Sequence, residues 1–333
     1  MTTFMGSNLP EGNNINNASI ASPLSSTPPI HIRNITCELI ISKTNAYFDS
    51  NIPISNFNNY ALWKCSETGL EFSWPPIPGD EEYYKWLGSQ AKYYPNERWE
   101  WGIVSGRLNI SDKIADIGGG DGKFAQFLGE RFKSNLRIID LSNSAVHNCK
   151  RLGYTADCLD ICNIRQRSDL YFEAYDVITC FHCLEHVPDP LLFLKSLSNL
   201  LKPTGTLYIS TPLSPMHFEC IWFDILNYPP HHMTRWNSRS FIRLAEINNL
   251  DIELIHEPAA SFISRCAITF RLSKIGVNCK ITKFYLLLNM IVCPILTIKI
   301  LYHQLFISRY NGKIVGNSIL AIFRKRQINK GIS

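Results

Sequence analysis

The sequence predicts an α/β protein whose core is a doubly wound, mostly parallel sheet. Between residues 111 and 257, apolar runs of strand length alternate with amphipathic stretches of helical length. Several of these runs end on an acidic or aromatic residue. Strands and helices that alternate at this spacing build parallel sheets with helices on both faces. With 45% hydrophobic residues, the 333-residue chain can bury a large core, which excludes global disorder.

The individual elements follow from these local patterns. The predicted strands are KIADI (113–117), LRIIDL (136–141), YDVITCF (175–181), GTLYIST (205–211) and LDIELIHE (250–257). The predicted helices are GKFAQFLGERF (122–132), NSAVHNCKRLG (143–153), DPLLFLKSLSNLL (189–201) and SRSFIRLAEINN (238–249). A shorter strand within residues 153–161 fits between the second and third of these strands.

The ends of the predicted strands carry candidate binding residues. Sheets of this kind bind ligands beyond the carboxyl ends of their strands, where the strand order reverses. Asp116, Asp140 and Phe181 fall at such ends. We therefore expect these three residues to lie beside one ligand.

A glycine-rich turn follows the first strand, in KIADIGGGDGKF (113–124). Gly118, Gly120 and Gly122 follow the spacing G-x-G-x-G, and Asp116 precedes them. Glycines let a ligand approach the backbone closely. Asp116 would repel a pyrophosphate, so it favours a ligand with an ammonium group over the dinucleotides that other glycine-rich turns bind. A turn with only a structural role is the alternative.

Two further acidic residues extend this candidate site. Asp140 closes the next strand, 22 residues past Gly118, where a carboxylate can accept hydrogen bonds from both hydroxyls of a ribose. Asp160 follows the third strand, and two roles are open for it. It either accepts a hydrogen bond from an adenine amino group or caps the next helix.

These motifs, in their order along the chain, resemble those of one family. DIGGGDG (116–122), IIDLS (138–142) and YDVITCFHCLEHVPDPLLFLKSLSNLLKPTGTLYISTP (175–212) are similar to the class I S-adenosylmethionine-dependent methyltransferases. More narrowly, the chain resembles the branch that carries an EHVPDP segment. The resemblance covers residues 111–257. It implies a Rossmann-like core and S-adenosylmethionine as the cofactor.

The same resemblance implies which residues touch the cofactor. It places the methionyl part beside the glycine turn, the ribose at Asp140 and the adenine side at Asp160. The segment GNSILAIFRKR (316–326) resembles the family's last, antiparallel strand, so a helical insertion precedes that strand. The predicted cofactor site comprises Asp116, Gly118, Gly120, Gly122, Asp140, Asp160 and Phe181.

The prediction divides the chain into six segments. The first is rich in Asn, Ser, Thr, Pro and Gly, so it cannot bury enough apolar area to offset its ordering entropy. The segments are a disordered tail (1–30), a degenerate zinc-ribbon-like segment (31–80), a helical cover of the cofactor pocket (81–110), the methyltransferase core (111–257), a basic apolar helical insertion (258–312), and the last core strand with a tail (313–333).

The zinc-ribbon-like segment is predicted to hold no metal. CELI (37–40) and CSET (65–68) stand where similar proteins carry two C-x-x-C pairs. Each pair has lost its second cysteine, to Ile40 and Thr68. Two thiolates cannot complete a tetrahedral zinc site, so we expect a small metal-free subdomain whose strands still pack.

The candidate catalytic residues lie in YPPHHMTRWN (228–237). Methyl transfer to a hydroxyl requires alignment of the reactants and a base, and histidine suits that role near neutral pH. We therefore predict His232, and after it His231, as the base. The alternative is that a histidine caps the following helix or packs on the neighbouring tryptophan. Tyr93 or Tyr94 either touches the donor or acceptor or belongs to the aromatic core.

The segment LEHVPDP (184–190) offers a second pair of candidates, Glu185 and His186. In ubiquinone-pathway O-methyltransferases, a comparable segment carries an acid three residues earlier that is associated with a divalent metal. Here that position is His182, so we predict no metal. Glu185 and His186 are expected to have a structural role at the start of the helix.

The C-terminal part of the chain is basic and apolar. After Glu257 there are no Asp or Glu residues, while twelve Lys and Arg residues follow. This asymmetry predicts an anionic partner. Residues 281–310 are expected either to lie on an anionic membrane surface or to pack as a helix pair or dimer surface. Nucleic acid is disfavoured because the cations alternate with aliphatic runs.

Together these patterns predict a methyltransferase that modifies a small molecule, first of all the hydroxyl of a sugar or glycan precursor. A prenylated or quinone-type acceptor is one alternative, and an inactive donor-binding scaffold at a membrane is another. Eleven scattered cysteines and no export signal indicate a cytoplasmic protein. The basic C-terminal part leaves open a peripheral position at the inner face of the membrane. The acceptor and the oligomeric state do not follow from the sequence.

Overall fold

The structure is a computed structural model of the 333-residue chain. The residues that it describes are 20–53, 57–90, 93, 97–163, 171–219, 225–273, 293–307 and 313–326. Within them the chain forms a seven-stranded sheet with helices on both faces and a four-stranded sheet beside it.

The large sheet contains the predicted core strands. They are β4 (Ile114–Ile117), β5 (Leu136–Asp140), β6 (Thr155–Cys158), β7 (Tyr175–Phe181), β8 (Leu201–Pro212), β10 (Leu250–Pro258) and β11 (Val315–Lys325). Their order is β10-β11-β8-β7-β4-β5-β6. Neighbours from β6 to β8 are parallel, and β11 is antiparallel to both β8 and β10. The predicted doubly wound sheet with an antiparallel last strand is confirmed.

Helices cover both faces of this sheet. One face packs on α3 (Trp99–Ser105), α4 (Lys123–Leu128) and α5 (Asn143–Arg151), and the other on α6 (Pro190–Leu200) and α7 (Ser238–Ile247). Successive strand residues alternate between these two cores, as the pleat requires. In β5, Ile138 belongs to the first core and Ile139 to the second, and both are fully buried.

The N-terminal residues form the smaller sheet. It consists of β1 (Ile30–Ile35), β2 (Tyr60–Lys64), β3 (Glu71–Trp74) and β9 (Thr234–Arg235), and it packs with α1 (Cys37–Phe48) and α2 (Glu81–Ser89). The predicted tail over residues 1–30 is too long. Ile20 and Leu24 are buried, 4% and 2% exposed, because these two apolar side chains pack under the polar stretch around them.

The two remnant cysteines lie in different kinds of structure. Cys37 begins helix α1 and is not part of a strand hairpin, because Thr36 caps the helix by accepting from the Leu39 amide. Cys65 lies at the turn between β2 and β3, where its thiol accepts from the Thr68 amide at 3.5 Å. The strand packing that the sequence predicted is therefore present around Cys65 but not around Cys37.

The basic insertion connects β10 to β11. Its described parts are helix α8 (Phe262–Ser273), helix α9 (Pro294–Tyr302) and a π-helix (His303–Ile307) that continues α9. Cys266 and Phe270 of α8 pack on Ile300 of α9. Within the described residues, every helix is too short or too polar to span a bilayer. The rest of the predicted segment 281–310 lies outside the described residues.

Candidate active site

A cavity of about 240 Å³ opens where the strand order reverses, between the ends of β4 and β7. Its walls come from the glycine turn, the end of β7, the turn after it and the histidine loop after β8. Of the predicted site residues, the cavity wall includes Asp116, Gly118, Gly120, Phe181, His231 and His232. The sequence thus indicated residues from three separate segments that the fold brings together.

The glycine turn requires glycine for two separate reasons. Gly118, Gly120 and Gly122 have left-handed φ angles of 67°, 53° and 74°, which side chains other than glycine rarely adopt. Space is also limiting, because a Cβ at Gly118 would lie 2.8 Å from Cys183 Sγ. Gly122 ends the turn at the N-terminus of α4 and lies behind the cavity wall.

Asp140 is held against this turn. Its Oδ2 accepts a hydrogen bond from the Gly120 amide at 2.8 Å, and its Oδ1 accepts one from the Ser142 amide at 2.8 Å. Burial raises the pKa of Asp140, and these amides partly oppose the rise. The carboxylate is therefore fixed at the end of β5 against Gly120, which lines the cavity, while Asp140 itself is not among the lining residues.

Asp116 is the most buried carboxyl of the turn, with 2% of its surface exposed. Its Oδ1 accepts a hydrogen bond from the Thr179 hydroxyl at 2.7 Å. Its Oδ2 has no hydrogen-bond partner among the described residues. Burial raises the pKa of Asp116 to about 7, with the Asp140 charge adding to the effect. A buried oxygen without a donor suits a ligand that brings a cationic donor.

Phe181 and Asp160 have different positions. Phe181 lies at the cavity wall, with its ring 4.8 Å from that of Phe124 in an edge-to-face contact. Asp160 is exposed and accepts hydrogen bonds from the Cys162 amide at 2.9 Å and the Asn163 side chain at 2.6 Å. The hydrogen bonds of Asp160 are thus those of a cap, one of the two roles that the sequence left open.

The two predicted histidines are buried, and both are neutral donors at Nδ1. His231 donates from Nδ1 to the Leu226 carbonyl at 2.7 Å, and its Nε2 accepts from the Tyr93 hydroxyl at 3.0 Å. His232 donates from Nδ1 to the Asn227 side-chain oxygen at 2.9 Å. Because of burial and neighbouring histidines, both pKa values lie well below 6.5.

The helix that follows the histidine loop, α7, is capped by an asparagine and not by a histidine. Asn237 caps α7 by accepting from the Ser240 amide, so the capping role that the sequence left open for a histidine is not the one found. Tyr93 is the tyrosine of the pair that lines the cavity, while Tyr94 lies outside the described residues.

A third histidine joins this pair. His186 donates from Nδ1 to the His231 carbonyl at 2.6 Å, and burial lowers its pKa. The rings of His231 and His232 stack at 4.5 Å, and one nitrogen of each of the three histidines lies within 4.8 Å of the others. Such a group could hold a metal ion, so the predicted absence of a metal stays a prediction.

A chain of buried charges lies behind the histidines. His182 Nε2 is 3.2 Å from Glu100 Oε1, and His182 Nδ1 is 3.5 Å from Glu185 Oε1. Burial and the charge of Arg98 lower the pKa of His182, but its two glutamate partners outweigh them and raise it overall. Glu185 also lies 3.9 Å from His232 Nε2. It therefore belongs to the cavity wall, beyond the structural role that the sequence predicted.

The small sheet holds the histidine loop in place. Strand β3 pairs with β9 directly after the histidines, and the Ser73 amide donates to the Met233 carbonyl at 2.8 Å. Arg235 of β9 is buried and forms ion pairs with Glu71 at 2.9 Å and Glu219 at 2.6 Å. The N-terminal segment thus contributes to the site.

Comparison with known proteins agrees with this geometry. A family model described as a methyltransferase domain matches residues 103–255. The ubiquinone biosynthesis O-methyltransferase of Neisseria meningitidis serogroup C is 27% identical over 153 residues, which cover 43% of this chain and 63% of that protein. The protein of the same name from Histophilus somni is 34% identical over 106 residues, covering 30% and 44%. The chain thus spans less than two thirds of the length of these relatives.

The chain is also similar to a solved structure. The S-adenosylmethionine-dependent methyltransferase from Archaeoglobus fulgidus superposes with a TM-score of 0.46 at 15% identity, covering 73% of this chain and all of that one. The family match spans β4 to β8 and most of β10 of the large sheet, while β11 lies beyond it. Residues 103–255 of this chain are thus similar to a methyltransferase domain, and this match supports S-adenosylmethionine as the cofactor.

Proposed function

We propose that this protein transfers the methyl group of S-adenosylmethionine to a hydroxyl of a small molecule, with His232 as the base. One observation carries the proposal. His232 is neutral, its Nδ1 is bound to Asn227, and its Nε2 keeps a lone pair at the wall of the cavity that also contains Asp116. A base held in one tautomer beside the donor site is what O-methylation requires.

The cofactor fits the residues present. The left-handed glycine turn leaves the backbone open to a ligand, and the unpartnered Oδ2 of Asp116 suits the ammonium of the methionyl part. Asp140 would accept from the ribose hydroxyls, and Phe181 would lie against the bound cofactor. When bound, S-adenosylmethionine supplies a methyl group on a positively charged sulfur. Its adenine side has no assigned partner in this proposal, because Asp160 acts as a cap.

The proton then has a defined path. As the new O–CH₃ bond forms and the S–CH₃ bond breaks, His232 takes the hydroxyl proton at Nε2. Glu185 Oε1, 3.9 Å from that nitrogen, stabilises the resulting imidazolium. His231 is the weaker candidate because both of its ring nitrogens already have partners, Leu226 and Tyr93. It positions the loop.

For the acceptor we propose a phenolic hydroxyl of a quinone-type molecule. Trp101, Phe124 and Phe181 form an aromatic side of the cavity, which suits a flat ring. The names of the relatives, ubiquinone biosynthesis O-methyltransferases, support the same class. A sugar hydroxyl is the second candidate, because Arg98 and Glu185 on the cavity wall would bind the additional hydroxyls of a sugar.

The test combines binding and turnover. Calorimetry with S-adenosylhomocysteine should show binding to the purified protein, and labelled donor should transfer methyl to a catechol or prenylated phenol. Transfer to a saccharide acceptor and not to phenols would replace the first acceptor by the second. Failure to bind S-adenosylhomocysteine would refute the enzyme proposal. Binding of S-adenosylhomocysteine without transfer to any acceptor would favour a donor-binding scaffold.

A further inference from the structure

The outer face of α9 and its π-helical extension exposes a stripe of large apolar side chains. These are Ile295, Ile298, Tyr302, Leu305 and Phe306, which are 82%, 66%, 57%, 45% and 66% exposed. Their spacings of three, four, three and one residues place them on one side of the helix. A contiguous apolar surface of this kind marks an interaction site. We call it the apolar stripe.

The opposite face of the same helix is buried. Thr297 and Ile300 are 5% and 0% exposed, and Ile300 packs on Cys266 and Phe270 of α8. The helix therefore has a protein core on one side and the apolar stripe on the other. Its position is fixed by the buried side, so the stripe is a formed surface.

The charge of this part of the chain favours one class of partner. Residues 258–333 contain twelve Lys and Arg residues and no Asp or Glu. Arg265 is buried, and Arg324, Lys325 and Arg326 pair with acidic residues of other segments. Lys313 is exposed. On the helix itself, Lys299 is exposed beside Ile298. We propose that the apolar stripe binds the surface of a bilayer that contains anionic lipid, with the apolar side chains among the acyl chains and the cations at the head groups.

A second copy of the chain fits this surface less well. Two stripes brought together would also bring together two copies of the exposed Lys299, which repel each other. Stable protein interfaces use roughly 20–30 residues on each side, far more than the stripe offers. A bilayer needs no matching surface, and its negative charge grows with the anionic lipid content.

The π-helix that carries part of the stripe is hydrogen-bonded to a loop beside the cavity. Gln304, on the buried side of the π-helix, donates from Nε2 to the His217 carbonyl at 2.8 Å. Met216, the preceding residue, lines the cavity. The docked helix therefore contacts the loop that forms a cavity wall. If the acceptor is the apolar phenol proposed above, it would reach the cavity from the lipid; the docking itself does not rest on that acceptor.

Vesicle flotation with the full-length protein tests this proposal. Wild-type protein should float with phosphatidylcholine vesicles that contain phosphatidylglycerol and much less with phosphatidylcholine alone. In the variant Ile298→Glu with Phe306→Glu, the fraction of protein bound to vesicles should fall at least about tenfold, because two apolar contacts with the acyl chains are replaced by charges. The matched control is Ile110→Glu with Phe172→Glu, both 57% exposed elsewhere on the surface, and its flotation should equal that of wild type.

Three results would overturn the proposal. They are no flotation of the wild type, equal flotation of the stripe variant, and an equal loss in the control. A wild-type dimer that the stripe variant converts to a monomer, without vesicle binding, would assign the stripe to a second copy instead. Calorimetry with S-adenosylhomocysteine confirms that each variant is folded. Lost cofactor binding in the wild type would refute the proposed function and leave the vesicle result standing.

Discussion

Asp140 accepts a hydrogen bond from the Gly120 amide at 2.8 Å, so that the end of β5 is tied directly to the glycine turn after β4. Two neighbouring parallel strands thereby fix one side of the cavity through a single carboxylate. The Ser142 amide holds the other oxygen of Asp140 at 2.8 Å. The carboxylate thus keeps its orientation before a ribose arrives.

Replacing this carboxylate should weaken cofactor binding. We expect Asp140→Ala to raise the Kd for S-adenosylhomocysteine about 10–100-fold, because a charge-assisted hydrogen bond contributes roughly 1.5–3 kcal/mol. Calorimetry measures the change. Asp160→Ala is the comparison. If Asp160 serves only as a cap, the Kd of this variant for S-adenosylhomocysteine stays within about twofold of the wild-type value. A larger loss in Asp160→Ala than in Asp140→Ala would reverse the two roles.

The glycine at position 118 can be tested for strain and space separately. Gly118→Ala should destabilise the protein by about 1–2 kcal/mol for its left-handed φ, and further for the contact with Cys183 Sγ. Gly153→Ala is the control, since Gly153 has a φ of 81° and its added Cβ would meet only the end of the flexible Lys133 side chain, at 3.3 Å. Urea denaturation should show a larger loss for Gly118→Ala.

A double variant separates the steric contact with Cys183 from the effect of the left-handed φ angle. Adding Cys183→Ala to Gly118→Ala should recover part of the lost stability, because the Sγ atom that crowds the new methyl group is removed. Equal stabilities of Gly118→Ala and Gly153→Ala would show that only the backbone angle matters.

Cofactor affinity should depend on pH through Asp116. Its pKa of about 7 in the free protein means that the carboxyl is mostly protonated at pH 6 and mostly ionised at pH 8. An ammonium binds the ionised form, so affinity for S-adenosylhomocysteine should rise about tenfold from pH 6 to pH 8. Calorimetry at several pH values measures this. The Asp116→Asn variant should bind weakly and without this slope; the same slope in that variant would assign the proton elsewhere.

The two histidines should differ in their effects on turnover. His232→Asn should lower kcat about 10²–10⁴-fold while leaving the Kd for S-adenosylhomocysteine within about twofold. His231→Asn should lower kcat less, because His231 acts through the loop. The low pKa of His232 keeps it unprotonated, so kcat should stay level as the pH falls to 6.5 and drop only below it. An equal kcat loss in both variants would contradict the assignment of His232, and not His231, as the base.

The core of the fold was predictable because its strands and helices carry regular apolar patterns. The glycine turn and Asp140 were also accessible, since they follow strands directly. The hydrogen-bond and ion-pair partners of the histidines could not be predicted from the sequence. Tyr93 lies 138 residues before its partner His231, and Glu100 lies more than 80 residues before its partner His182. Only the tertiary fold brings each pair together. Buried Glu100 carries no pattern that marks it.

The N-terminal boundary failed for a related reason. Ile20 and Leu24 are two apolar residues in a polar stretch, too few to predict packing from composition. They are nevertheless buried, because other segments supply the surfaces they cover. Amino-acid composition indicates whether a segment can form a core by itself. It does not show that a few of the segment's apolar residues complete a core formed by other segments.

Pro258 of β10 and Val315 of β11 are register partners in adjacent antiparallel strands. A tight hairpin could therefore join the two strands, and the intervening residues are not needed to connect the sheet. An excised variant with a short turn in their place should keep the seven-stranded sheet, while the loop of Met216 and His217 loses its contact with Gln304. In such an architecture, the inserted helices can be exchanged during evolution or engineering without loss of the sheet that carries the glycine turn.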